Sequence, residues 1–171
     1  HVTVNEALMR LDGLVNLTLQ SVTTTTPPSQ VIDGQCWGVP ANPSGAWVSQ
    51  SGRIAIGSNG GWVFVPAGPG MRALIADHGI CAIHDGTRWV EGALTLGQTG
   101  AGLLTGIAEA EVSVSAGAGF DTGLTIPAGV VVIGATARVT QALTGSLSSW
   151  RLGSLGADDR FGQGIGKSMN S

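Results

Sequence analysis

Residues 45–90 carry one pattern written twice, and no other feature constrains the fold as much. Ala46-Trp47-Val48, then three residues and Gly52, aligns with Ala73-Leu74-Ile75, then three residues and Gly79. Ala55-Ile56 falls on Ala82-Ile83 and Trp62-Val63 on Trp89-Val90, so the offset is 27 residues throughout (46 to 73, 62 to 89). A repeat of this length is one supersecondary unit used twice. Each copy is expected as two short strands, a turn and a third strand ending at the tryptophan. Asn59-Gly60 and Asp85-Gly86 are hairpin dipeptides, because both central residues of a type I′ turn need positive φ. The copies share apolar residues, glycines and a tryptophan, but no acid, base or metal ligand. Their role is therefore packing, and Trp62 and Trp89 are expected in matching environments.

The chain around the repeat is poor in charge. Charged residues are 11% of 171, against about 25% in ordinary soluble domains. There are 28 glycines and no tyrosine, and mean hydropathy is +0.28. No apolar run reaches the ~20 residues of a membrane helix, so membrane insertion is not expected. So few charges protect a surface badly from association. Much of the surface is therefore expected to be covered by copies of the chain or by other subunits. Net charge is −3 and no basic stripe exists, which argues against direct nucleic-acid binding. Cys36 and Cys81 do not correspond under the offset and are expected as buried free thiols. The chain opens on His1 rather than Met and stops after a glycine-rich run, so both ends are expected to be cut.

Thr3-Val4-Asn5-Glu6 has the form of a capping box. Val4, Leu8, Leu11 and Val15 follow at spacings of 4, 3 and 4, with Leu14 widening the stripe. That is helical periodicity with heptad character. The expected helix has about five turns and cannot stand alone in water. Its stripe must pack on the β unit or on the same helix of other chains. Gly13 weakens it by about 1 kcal/mol relative to Ala unless something approaches closely there. Thr23 to Thr26 and Pro27-Pro28 end it. Val31 to Pro40 holds a first strand with Trp37. Residues 92–110 contain Gly97, Gly100, Gly102 and Gly106 and read as a linker.

Beyond Glu111, strands are expected at Val112 to Ser115, Val130 to Ile133, Arg138 to Thr140 and Ser149 to Gly153. Turns are expected at Pro127-Ala128-Gly129 and Thr144-Gly145, and Phe120 to Gly123 is a turn or strand end. The fold class is thus mainly β. An N-terminal amphipathic helix (1–26) precedes a small β domain with the twin repeat (27–92). A linker (93–110) leads to a partial, jelly-roll-like β-sandwich (111–171). Four or five strands make only part of a sandwich, and the rest are expected beyond Ser171.

Candidate chemistry is sparse. Gly162 to Ser168 ends like a phosphate-binding loop, but Phe161 stands where its first glycine belongs and no helix can follow. Asp77-His78 and His84-Asp85 lack metal-ligand spacing and suit turns. Asp158 and Asp159 beside Arg160 suit a solvated loop better than a calcium site. No Gly-x-Ser-x-Gly occurs. No catalytic residue, metal site or cofactor is expected. Trp150 beside Arg151 has the makings of a sugar platform, a ring for C–H faces and a guanidinium for hydroxyls. Its competing role is core packing.

Taken together, His1-Val2-Thr3-Val4-Asn5-Glu6-Ala7-Leu8 and Arg10-Leu11-Asp12 resemble the start of a phage-derived family of virion proteins found in prophages and gene transfer agents. Gly52-Arg53-Ile54-Ala55, Gly61-Trp62-Val63-Phe64 and Asp85-Gly86-Thr87-Arg88-Trp89 continue the likeness. So do Phe120-Asp121-Thr122-Gly123, Ile126-Pro127, Gly134 to Thr140, Thr144-Gly145 and Arg160-Phe161-Gly162. The likeness covers nearly the full length. It implies a head-spike base or tail-fibre-like component with a C-terminal β-sandwich, thought to touch host-surface polysaccharide. The few residues that usually precede the opening helix are absent, and so are strands that complete the sandwich. Any glycan site is therefore expected to be incomplete.

The expected function is a structural virion component supporting host attachment, on the surface of a phage-like particle assembled in the bacterial cytoplasm. It would be a homo-oligomer, three copies before five, joined through Val4, Leu8, Leu11 and Val15, docked on capsid or fibre subunits. The alternative is a glycan-binding module recognising capsule or lipopolysaccharide through Trp150 and Arg151. A depolymerase would need paired carboxylates across a groove, which these few acids do not suggest.

Overall fold

The structure is a computed structural model that describes residues 2–114, 119 and 121–170, without the side chains of Val2 and Thr3. It divides into two compact units, residues 1–106 and 107–171. The protein is mainly β, with one helix and one large sheet.

The first unit opens with α1 (Val2–Leu14). The helix is shorter than its apolar pattern suggests. Asn16 takes φ 52°, a left-handed conformation that ends helices. Leu17 and Leu19 then bury their side chains on either side of the half-buried Thr18. That two-residue alternation makes β1 (Thr18–Leu19). The capping role assigned to Thr3 rests on a side chain outside the described ones.

Next come β2 (Cys36–Gly38), a 3-10 turn (Gly45–Trp47), β3 (Arg53–Ser58), β4 (Gly61–Pro66), β5 (Arg72–Ile75), β6 (Ile80–His84) and β7 (Trp89–Glu91). They form a seven-stranded sheet in the order β4-β3-β2-β1-β5-β6-β7. β1 lies at its centre, parallel to β2 and to β5. An antiparallel meander runs outward on each side, β2-β3-β4 one way and β5-β6-β7 the other.

The twin repeat is visible in the register. Gly57 pairs with Trp62 and Ile56 with Val63; 27 residues on, His84 pairs with Trp89 and Ile83 with Val90. Two expectations fail. Ala46-Trp47-Val48 is not the counterpart strand of Ala73-Leu74-Ile75, because Gly45–Trp47 is a 3-10 turn. The sheet position equivalent to β5, beside β1, is taken by β2. Nor do the tryptophans share an environment. Equivalent meanders leave β1 in opposite lateral directions while their strands run the same way. That operation is a half-turn about the strand axis, and it exchanges the faces of the sheet.

One face carries the main core: Leu17, Leu19, Cys36, Ile54, Ile56, Ala73, Ile75 and Ala82, with Leu14, Val65 and Trp89 against it. Leu19, Ile54, Ile56 and Ile75 are fully buried, each worth about 1.5–3 kcal/mol. The other face carries Val39, Trp47 and Ala55, with Trp37, Trp62 and Phe64 packed on them. Trp47 comes from the 3-10 turn and sits between Trp37 (centroids 5.9 Å) and Trp62 (5.2 Å, edge to face).

The turns are built by different means. Asn59 (φ 51°) and Gly60 (φ 74°) make the two-residue hairpin, and the Asp33 carboxylate accepts from the Asn59 N–H at 2.8 Å. Asp85-Gly86 is not a type I′ turn. There the Asp85 carboxylate accepts from the Thr87 N–H (2.7 Å), the Arg88 N–H (2.8 Å) and the Thr87 hydroxyl (2.8 Å). These donors hold its pKa far below the usual carboxylate range.

The expected linker carries a hairpin, β8 (Ala93–Leu96) with β9 (Gly102–Leu104). Two of its glycines serve close approach: a Cβ would lie 3.1 Å from the Ala101 carbonyl oxygen at Gly97 and 2.6 Å from the Thr95 carbonyl oxygen at Gly102.

In the second unit the described strands are β10 (Trp150–Ser154) and β11 (Ala157–Gly164), an antiparallel pair. Val112 to Val114, Val130 to Ile133 and Arg138 to Thr140 are not strands here. Ser115 and Phe120, named in two expectations, lie outside the described residues. Short runs of β-branched residues need a ladder partner; among the described residues no ladder forms on these runs, and Val139 has only the Asn170 N–H on its carbonyl at 2.8 Å.

Candidate functional site

The helix meets the sheet through its last turn. Gly13 is buried, and a Cβ there would stand 2.9 Å from Ile56 Cδ1 and 3.2 Å from Cys36 Sγ. The Cys36 thiol donates to the Gly13 carbonyl at 3.3 Å. Burial, helped by the Asp12 carboxylate, pushes its pKa up to about 11. It is an inert thiol. Cys81, expected to be buried, is exposed, and both cysteines are free. The glycine that looked like a helix defect is thus the contact that seats the last turn of α1 against the sheet.

That contact fixes which way the rest of the helix faces. At about 100° per residue, Val4, Leu8, Leu11 and Val15 fall within an arc of roughly 60° directly opposite Gly13. They are 60%, 58%, 60% and 59% exposed. Val15 stays on the stripe because its N–H still donates to the Leu11 carbonyl at 3.0 Å. All four expected interface residues therefore form one apolar, solvent-facing row. Glu6 and Arg10, joined at 2.6 Å, stand off that row. Ala7, Leu11 and Leu14 with Glu6 and Arg10 line a groove of about 430 Å³ along the helix.

Trp150 and Arg151 are not brought together. Successive strand residues leave opposite faces. The Trp150 indole lies over Gly164, its cross-strand partner, and its Nε1 donates to the Gly166 carbonyl at 3.1 Å. Arg151 turns to Asp158 at 2.8 Å. The two make no common sugar platform. Arg151 also occupies an Asp158 oxygen that a calcium ion would need. Gly162 to Gly164 belong to β11, so the first part of that run is strand.

The histidines are separated by β6. His78 sits beyond one end, 3.0 Å from both Glu91 oxygens and 4.0 Å from Asp77. Its pKa is raised by the Glu91 hydrogen bond, the Glu91 charge and then Asp77. His84 ends the strand, buried edge-on against Trp89 at 5.0 Å, its Nδ1 accepting from the Gly86 N–H. Among the described residues no group of three or more possible ligands could hold a metal ion. No helix among them is long and apolar enough to cross a membrane.

Two features escaped sequence reasoning. The Trp37-Trp47-Trp62 cluster joins three separate elements, and only the alternation of Trp62 with Phe64 hinted at it. β1 was hidden inside the apparent helix, though Leu17-Thr18-Leu19 alternates as a strand does.

The profile of a family described as "Protein of unknown function (DUF2793)" matches residues 4–90, just over half of the chain. The match runs from the exposed stripe of α1 through the second repeat. No curated protein matches the chain.

Proposed function

The chain belongs to the DUF2793 family, and we propose that it is a structural component of a phage-like particle, a spike or fibre base that works as a homo-oligomer. The observation that carries this is the Val4, Leu8, Leu11, Val15 row, more than half exposed and on the side of the helix opposite Gly13. Heptad spacing on such a row suits the same helix from other copies. Val131 and Ile133 are 85% and 93% exposed, and no charge stands between Asp121 and Arg138. The sequence likeness to virion proteins of prophages and gene transfer agents supplies the setting, with capsid or fibre subunits as docking partners.

Host-surface polysaccharide binding by the second unit is the alternative. Trp150 and Arg151, set on opposite faces, give it no joint platform. The test is light scattering on purified protein, wild type and Leu8→Asp/Leu11→Asp. An oligomer of three or five copies that falls to a dimer or a monomer in the variant supports the proposal; a wild-type monomer at micromolar concentration overturns it. Detection of the chain in purified particles tests the setting.

A further inference from the structure

The sheet has two edges, and the repeat makes them comparable. β7 is the twin of β4, and three devices blunt it. It is three residues long, Glu91 stands where β4 has Phe64, and Gly92 at φ 71° stands where β4 has Val65. Beyond it the Thr105 N–H covers the Gly92 carbonyl at 2.8 Å. β4 has none of these. Gly61 to Pro66 is six residues, uncharged, regular in register, with proline only at its end. Such an edge is a template for another strand.

Its free groups can be identified. The Gly57 N–H and C=O both bond on the β2 side, to the Gln35 carbonyl and the Gly34 N–H at 2.9 Å. Gly57 and Trp62 are therefore a non-hydrogen-bonded pair, and the Trp62 main chain points outward. By alternation so does that of Phe64. Neither residue's main chain makes a hydrogen bond among the described residues. Pro66, the next in the series, has no N–H to leave unmet.

We propose that β4 pairs antiparallel with β4 of a second copy about a two-fold axis through Val63. In that register Trp62 of each copy faces Phe64 of the other. These are the residues with outward groups, so each N–H meets a carbonyl, giving four hydrogen bonds. The side chains stack two Trp–Phe pairs on the aromatic face. The absence of charge selects the occupant: a strand identical to this one brings no like-charge repulsion, and a charged peptide finds no counter-ion here. The contact is independent of the helix row. Alone it makes a dimer; with the helix contact it joins one oligomer to another.

Val63 would face its own copy in a non-hydrogen-bonded pair, with Cα atoms about 4.5 Å apart, inside disulfide range. The test is mild oxidation of Val63→Cys in a Cys81→Ser background, with Val65→Cys as control. A covalent dimer from Val63→Cys alone, abolished by adding Phe64→Glu, is the expected result. A monomer from folded Val63→Cys, or equal cross-linking at Val65→Cys, overturns the proposal. Wild-type hydrogen exchange needs no variant: Trp62 and Phe64 amides should slow as protein concentration rises. Concentration-independent exchange at both overturns it too.

Discussion

Trp62 and Trp89 occupy equivalent register positions 27 residues apart, opposite Gly57 and His84, yet stand on opposite faces of one sheet. The repeat is therefore a repeat of hairpin geometry and not of environment. Each meander is anchored on central β1, and the half-turn that relates them sends one tryptophan to an aromatic satellite cluster and the other to the main core. The same relation leaves β4 bare where β7 is blunted. An internal duplication can thus give one edge for closure and one for pairing.

Trp47 should be the costliest aromatic to truncate. It is fully buried between two other tryptophans, and Trp47→Ala should lose about 3–5 kcal/mol. Its Nε1 has no hydrogen-bond partner among the described residues, so Trp47→Phe forfeits volume and no hydrogen bond and should cost clearly less. Urea unfolding of both variants is the check; equal losses would mean the ring size matters less than this packing implies.

Gly13→Ala should destabilise the protein although alanine favours helix. The propensity gain is about 1 kcal/mol. The added methyl would stand 2.9 Å from Ile56 Cδ1, the tip of a fully buried side chain, and overpacking costs typically 1–3 kcal/mol. Relief by a second change, Ile56→Val, would confirm the contact. A Gly13→Ala protein more stable than wild type would place the helix elsewhere.

The His78–Glu91 pair gives a small pH dependence of known sign. The folded pKa of His78 is raised above 6.5. Its stabilisation is complete below 6.5 and is lost as pH rises through the folded value. The group is exposed, so the effect is small. Through that window the thermal midpoint of wild type should fall relative to Glu91→Gln. Parallel curves for the two proteins would show that the pair contributes nothing.

Legibility followed locality. The Asn59-Gly60 turn, the Trp62 hairpin strand, β10 and the outward helix row were readable because each rests on contacts or periodicity within a few residues. β1 was lost to helical periodicity, since Leu17 and Leu19 satisfy either pattern until Asn16 takes positive φ. The β8–β9 hairpin was lost because its glycines read as linker, while Gly97 and Gly102 allow backbone approach and Gly100 turns the chain at φ 87°. The parallel pairing of β1 with β2 and β5 joins segments 17 and 56 residues apart (Leu19 to Cys36 and to Ile75), and no local signal encodes it. Trp150 and Arg151 looked like one site because they adjoin in sequence, which in a strand places them on opposite faces.

Residues 1–106 should fold without the rest of the chain. Both core clusters draw all their members from Leu14 to Trp89, and the family match ends at residue 90. The β8–β9 hairpin and its Thr105 contact to Gly92 complete the unit by residue 105. A fragment ending at Gly106 should therefore melt cooperatively within about 4 °C of the longer chain, the shift that 1 kcal/mol makes in a domain of this size. Both proteins must be compared at one concentration, because association raises apparent stability. Leu8→Asp/Leu11→Asp should be carried in both, so that the helix row is silenced and the comparison reads the fold. A fragment that is unfolded, or melts far below the longer chain, would show that residues beyond 106 belong to the same cooperative unit.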